Sequence, residues 1–225
     1  MPSYYLTGTD TGAGKTFATC ALLDAARAAG RTALGMKPVA SGCLWTERGW
    51  RNEDALALLA HGSSAVDYAQ VNPYALPAAT APEIAAALAG TEIELAPILA
   101  AHAHLAARAD LVFVEGVGGW LAPLSATLDQ PALARALGLP VILVVGLRLG
   151  CLNHARLSAR AILADGFVLA GWIASDVDPA MEYTGEYFEA LRRVLPAPLL
   201  GRLPHVADRG PGAVAGCVRL PDPGL

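Results

Sequence analysis

At 225 residues the chain is long enough to bury one substantial core and short for two, and no Ser/Gly-rich or charge-rich linker interrupts it, so residues 1–225 read as a single domain. Hydrophobic residues make up 54% and charged residues 16%, which argues against disorder, while no apolar run approaches the roughly 18 residues needed to span a bilayer. With 16 Lys and Arg against 20 Asp and Glu, a net charge of −4 and no basic run to track a phosphate backbone, neither nucleic acid nor a membrane is an expected partner.

In chain order, the opening Met1-Pro2-Ser3-Tyr4-Tyr5-Leu6 has no basic stretch ahead of its apolar one, so it does not read as a signal peptide and a cytoplasmic location is expected. Apolar, β-rich segments follow at Tyr4 to Thr7, Thr32 to Met36, Leu111 to Val114, Pro140 to Val145, Val168 to Ala174 and Leu199 to Leu203. Between them lie alanine- and leucine-rich stretches with charges at helical spacing: Lys15 to Ala29, closed by Gly30, then Leu95 to Ala109, Asn153 to Ala164 and Glu182 to Val194. The alternation predicts parallel βαβ units. Val141 to Val145 is apolar at every position, as a strand covered on both faces should be, so the fold class is α/β with a doubly wound, mostly parallel sheet. The Gly- and Pro-rich tail after Pro204 reads as a wrapping loop. Cys20, Cys43, Cys151 and Cys217 are scattered without a CxxC pair, so neither zinc nor disulfides are indicated.

Ligands of such sheets sit beyond the carboxyl ends of the strands. There the chain carries Gly8-Thr9-Asp10-Thr11-Gly12-Ala13-Gly14-Lys15-Thr16, after the first strand and opening the first long helix. This is the context of a phosphate loop and of a P-loop NTPase fold, although Gly8 stands one residue further from Gly-Lys-Thr than the usual spacing. Backbone N–H groups of residues 12 to 16 would converge on phosphates at a helix N-terminus, with Lys15 near the outer phosphates and Thr16 on magnesium. The alternative is a glycine-rich turn that only joins strand to helix. Leu111 to Glu115, followed by Gly116-Val117-Gly118-Gly119, resembles the acidic strand that holds the metal in such folds; a carboxylate capping a buried strand is the plainer reading. Asp54, opening a helical stretch, reads equally as a second metal ligand or as a partner of the helix dipole. Lys37 ends the second strand, where the topology would bring it toward the γ-phosphate, though a lysine is most often a solvated charge.

Taken together, Gly8 to Thr16, Lys37-Pro38-Val39-Ala40-Ser41-Gly42, Asn72-Pro73-Tyr74, Glu115 to Trp120 and Leu149-Gly150-Cys151-Leu152-Asn153-His154 resemble the dethiobiotin synthetases, from Tyr4 to about Pro204. The resemblance implies ATP-dependent closure of a cyclic urea from 7,8-diaminononanoate and CO2, through a carbamate phosphorylated by ATP. It implies Gly12, Ala13, Gly14, Lys15, Thr16 and Phe17 at the phosphates, Thr16, Asp54 and Glu115 on Mg2+, and Gly116, Val117 and Gly118 beside the nucleotide. Ser175, Asp176 and Pro204 would lie near the base, Thr11, Lys37 and Ser41 on the substrate, and Lys15 and Lys37 would carry the catalytic charge. Gly150, Cys151, Asn153 and Tyr187 would reach the substrate from the second subunit of a homodimer. The family often has glutamate at the position of Gly12 and asparagine where Ser175 stands, and a serine hydroxyl offers a base fewer fixed hydrogen bonds than an amide. The same phosphate loop serves amide-forming ATPases, but no glutaminase pattern accompanies it here. Switch ATPases of the partition type carry a lysine early in the loop, where this chain has Asp10. A GTPase would need an Asn-Lys-x-Asp stretch, and a small-molecule kinase gives the Lys37 block no evident role.

Overall fold

A computed structural model describes residues 2–205 and 211–222. The chain runs β1 (Ser3–Gly8), α1 (Lys15–Ala28), β2 (Ala33–Met36), β3 (Val39–Ala40), β4 (Leu44–Thr46), β5 (Gly49–Arg51), α2 (Glu53–His61), α3 (Tyr68–Val71) and β6 (Tyr74–Ala75). It continues through α4 (Pro82–Ala89), α5 (Leu95–Ala106), β7 (Leu111–Gly119), α6 (Gln130–Leu137), β8 (Val141–Gly146), α7 (Cys151–Ala164), β9 (Leu169–Ser175), α8 (Thr184–Val194) and β10 (Leu199–Leu203). Among the described residues the main sheet has six strands in the order β10-β9-β8-β1-β7-β2, every neighbouring pair parallel. From β1 the chain goes to the edge strand β2, returns to β7 between the two, and then crosses β1 to build β8, β9 and β10 on the other side, so the topological switch lies at β1, where a crevice for a ligand is expected.

Alternation along the strands sends side chains to two cores. Tyr5, Val112, Val114, Leu143 and Trp172 face Ile98 of α5, Leu133 of α6, Ile162 of α7 and Leu191 of α8. Tyr4, Leu6, Phe113, Ile142 and Ile173 face Leu22 and Leu23 of α1 and Leu58 of α2. Each fully buried leucine contributes about 1.5–3 kcal/mol by leaving water, and helices on both faces are what make the central strands apolar throughout. No helix among the described residues is long and apolar enough to cross a membrane.

The expected strands and long helices are present, with ends shifted by a residue or a few. Three differences stand out. The acidic strand does not stop at Glu115: β7 continues to Gly119, because after an irregularity β1 still pairs Gly8 with Gly119. The helices α4 and α6, eight residues each, and the hairpin of β4 and β5 are too short to stand out in the sequence as elements; the hairpin is exposed along β4. The tail is more than a loop. Residues Pro211–Cys217 form a 3-10 helix, Val214 and Val218 are buried against the α1 side of the sheet, and Val218 bridges Gly201 of β10. Residues 206–210 and 223–225 lie outside the described residues.

Candidate active site

The site begins with backbone geometry. Gly14 precedes α1 with φ +86°, in the left-handed region that glycine adopts without cost. A Cβ there would stand 2.4 Å from the Ser175 hydroxyl oxygen, so the loop needs glycine for space as well as for conformation. No side chain caps α1, which leaves the amides of its first turn to a ligand. The loop thus points unsatisfied N–H groups and a helix dipole outward from the end of β1.

Beside it lies a cavity of about 730 Å³, walled by Thr11, Gly12, Gly14, Lys15, Thr16 and Phe17 from the loop, by Lys37, Ser41 and Asp54, and by Glu115, Val117 and Gly118 from β7. Its outer wall is largely apolar, with Ala79, Ala81, Pro82, Ala122 and Pro123. The strand register explains the convergence. Met36 pairs with Val114, so Lys37, the next residue beyond β2, comes level with Glu115, which in turn pairs with Leu6 of β1.

The charges form one network. Lys37 Nζ donates to Glu115 Oε1 at 2.6 Å and to Asp54 Oδ2 at 3.0 Å. The Thr16 hydroxyl donates to Glu115 Oε1 at 2.8 Å, and the Thr19 hydroxyl lies 3.2 Å from Oε2 and 2.9 Å from the Lys15 carbonyl. Lys15 Nζ donates to the Gly118 carbonyl at 2.7 Å and the Asp10 carbonyl at 3.1 Å. Burial alone would lower the Lys37 pKa, but the Glu115 and Asp54 carboxylates outweigh it and raise the ammonium above its ordinary value. At Asp54 burial pushes upward, and the Lys37 ammonium with the Thr16 hydroxyl overcomes it, leaving the carboxyl below its usual range. Among the described residues no carboxylate is in hydrogen-bond contact with Lys15. Burial first, and repulsion from Lys37 second, bring it down to about 8.

The oxygen donors suit a hard cation: two carboxylates and the Thr16 hydroxyl around Lys37, with room in the cavity for phosphate oxygens and water. Among the described residues no group of three or more His, Cys, Asp or Glu could hold a metal unaided, so a divalent ion here would share its ligands with a phosphate.

Other expected site residues stand apart from this cavity. Ala13 is fully buried within the loop and Gly116 is buried within β7. Ser175 is buried against Gly14, while Asp176 is held bidentately by Arg202, both contacts 3.0 Å. Pro204 is exposed just past β10. Gly150 caps α7 in the left-handed region, Cys151 is buried, Asn153 is exposed and Tyr187 on α8 is half-buried; none of the four lines the cavity of its own chain. Three neighbours had no motif to flag them. Thr19 braces Glu115 from one turn along α1; Asn52 caps α2 and donates to the Ser41 carbonyl at 3.2 Å; Arg148 donates to the Thr11 carbonyl at 3.0 Å. Only the position of Thr19, four residues after Lys15 on the loop side of α1, carried a usable signal.

A family model described as an AAA domain matches residues 2–212. A protein of Xanthomonas oryzae pv. oryzae named ATP-dependent dethiobiotin synthetase BioD is 59% identical over 220 residues, covering 98% of each chain. One of Xanthomonas campestris pv. campestris with the same name is 58% identical over 221 residues, covering 98% of this chain and 99% of its own. One of Xylella fastidiosa, also so named, is 58% identical over 206 residues, or 92% of this chain and 91% of its own. Among solved structures, a ParA family ATPase from Chlorobium tepidum superposes with TM-score 0.54 at 14% identity, over 92% of this chain and 86% of that one. The signal recognition particle receptor FtsY from Elizabethkingia anophelis gives 0.59 at 13%, over 98% and 60%, so both speak for the fold alone.

Proposed function

This chain belongs to the ATP-dependent dethiobiotin synthetases, and we propose that it makes dethiobiotin, ADP and phosphate from 7,8-diaminononanoate, CO2 and ATP in the cytoplasm, a step of biotin biosynthesis, acting as one synthetase domain. The observation that carries this reading is the meeting of two ammonium groups, Lys15 and Lys37, with the carboxylates of Asp54 and Glu115 in one cavity beside the phosphate loop.

The chemistry asks the protein for position and charge. One substrate amine, unprotonated, adds to CO2 and loses a proton, giving a carbamate. A carbamate oxygen takes the γ-phosphoryl group as ADP leaves, and the second amine then attacks the carbonyl carbon and expels phosphate. Two anions must approach each other in the phosphorylation step, and fixed positive charge lowers that barrier. Lys37 is placed to hold the carbamate and the moving phosphoryl oxygens, and Lys15 to hold the β and γ phosphates against the amides of Gly12 to Thr16. Magnesium, held by Thr16, Asp54 and Glu115, would neutralise charge on the β and γ oxygens. Phe17, Val117 and Gly118 border the nucleotide. Thr11 and Ser41 face the polar end of the diamine, and Ala79, Pro82, Ala122 and Pro123 offer its alkyl chain an apolar wall. Gly116 keeps the backbone close behind Glu115. Ser175, Asp176 and Pro204 flank the base.

The protein works as a homodimer in this reading. The substrate carboxylate would be met by α7 of the second subunit, through the amides of Gly150 and Cys151 with Asn153, and by its Tyr187. The support is that α7 opens without a side-chain cap and that Leu149 beside it is exposed.

The test is a phosphate-release assay with the diamine and bicarbonate withheld in turn. Release should require both; release indifferent to the diamine would point instead to an ATPase whose output is a change of conformation.

A further inference from the structure

Buried polar groups must find partners, and one set close to the cavity serves no function named so far. Gln130 opens α6 and is almost wholly buried. Its Oε1 accepts the Tyr5 hydroxyl and its Nε2 donates to the Val117 carbonyl at 2.9 Å. Tyr5 is fully buried in β1, and burial, with Asp129 and Glu115 adding to it, raises its pKa, so the phenol keeps its proton and donates it. That fixes which end of the amide faces which neighbour. The fit is close: a Cβ on Gly116 would stand 2.8 Å from both Gln130 Oε1 and the Tyr5 hydroxyl oxygen.

We infer that Gln130 is a positioning residue for the reaction proposed above, holding through the Val117 carbonyl the glycine-rich end of β7 on which Lys15 and Lys37 are set. Gly118, one residue on, accepts Lys15 Nζ at 2.7 Å, and the Gly116 carbonyl lies 3.5 Å from Lys37 Nζ. Val117 and Gly118 themselves wall the cavity. The segment 116–118 contains two glycines and lies within the irregularity of the β1 pairing, between the Leu6–Glu115 and Gly8–Gly119 partners, so ladder bonds alone constrain it weakly. Gln130 supplies the missing constraint from behind, and Tyr5 orients Gln130. Phosphoryl transfer tolerates misplaced charge poorly, so slack in this segment acts on the chemical step more than on the hold on nucleotide, which rests mainly on the amides of the α1 N-terminus and only in part on Lys15, Val117 and Gly118.

The experiment compares wild type with Gln130→Met, which fills similar volume without either hydrogen bond, Gln130→Glu, which keeps the acceptor for Tyr5 and when ionised loses the donor to Val117, and Tyr5→Phe. Diamine-dependent phosphate release gives kcat and KM for MgATP, nucleotide titration gives Kd, and thermal melts report folding. Both Gln130 variants should lose kcat by about tenfold and Tyr5→Phe by about threefold, with KM and Kd for nucleotide within about twofold of wild type. A folded Gln130→Met with kcat within about twofold of wild type, or with the loss confined to KM, overturns the inference. Should that variant not fold, an unchanged kcat in Tyr5→Phe and Gln130→Glu overturns it equally, and a reduced kcat in them sustains it. Wild type that releases phosphate without diamine defeats the reaction assignment itself, a result distinct from normal turnover in the variants.

Discussion

Two ion pairs at the carboxyl edge of the same sheet behave differently, and the contrast separates what is wired into the cavity from what sits on its rim. Lys37 and Glu115 have side chains 4% and 0% exposed, in a network that also includes Asp54, Thr16 and Thr19. Arg202 and Asp176 make a geometrically better, bidentate pair, yet with side chains 31% and 21% exposed. A buried charge without its partner is costly because desolvation is no longer offset, whereas an exposed one is rescued by water. In the proposed reaction the first pair therefore couples stability to catalysis, while the second, at the rim, adds little to stability.

The sharpest way to break the contrast is Lys37→Met. Turnover should fall about 10²–10³-fold, the cost of removing one preorganised donor from a developing charge. The fold should lose about 3–5 kcal/mol with Glu115 left buried and unpaired, read by denaturant titration. A variant as stable as wild type would show that the pair is not the buried anchor described here.

A subtler effect concerns Lys15, whose pKa of about 8 lies below that of a free lysine. Because the folded pKa is depressed, the unfolded chain binds more protons between about pH 8 and pH 10.4, so Lys15 makes stability rise with pH across that window. A triphosphate beside Lys15 reverses the depression. Nucleotide binding at pH 8.5 should therefore take up protons, seen by calorimetry as a binding heat that depends on the buffer's ionisation enthalpy. A buffer-independent heat at that pH would contradict the placement of the phosphates. The Asp54 shift has the opposite sign: its lowered pKa adds stability that is present at neutral pH and is lost in acid as the carboxylate takes its proton.

The smallest effects belong to the rim. Arg202→Ala should cost about 1 kcal/mol or less. Asn153→Ala, on an exposed turn of α7, should leave stability within about 0.5 kcal/mol and nucleotide affinity unchanged, while weakening diamine binding if a second subunit completes the site. Separate titrations of nucleotide and diamine measure this. Equal loss of both would move Asn153 out of the substrate's surroundings.

Legibility in the sequence follows the same division. Gly8 to Thr16 could be read because one contiguous segment holds its own strand end, turn and helix start, and the long strands and helices could be read because burial stamps a period on them. Glu115 and Lys37 were legible as strand-end residues, each with a plainer alternative. Their contact was not, since it depends on β2 lying next to β7, and no local pattern states strand order. Gln130 and Tyr5 sit 125 residues apart and belong to no motif. The hairpin from Leu44 to Arg51 left no periodic signal because it is largely exposed, and the tail helix left none because its two buried valines are too few to show a period.

By itself, then, the chain's order of residues determined the α/β alternation, the phosphate loop and the inventory of charged residues at strand ends, all set by interactions a few residues long. Only the tertiary structure decided which of those charges meet. Parallel pairing across β2, β7 and β1 brings Lys37, Glu115 and Thr16 within hydrogen-bond distance, and it leaves Gly150, Asn153 and Tyr187 away from the same chain's cavity. The reason is physical: helical and strand periods are local, whereas strand order is fixed by burying two faces of one sheet at once.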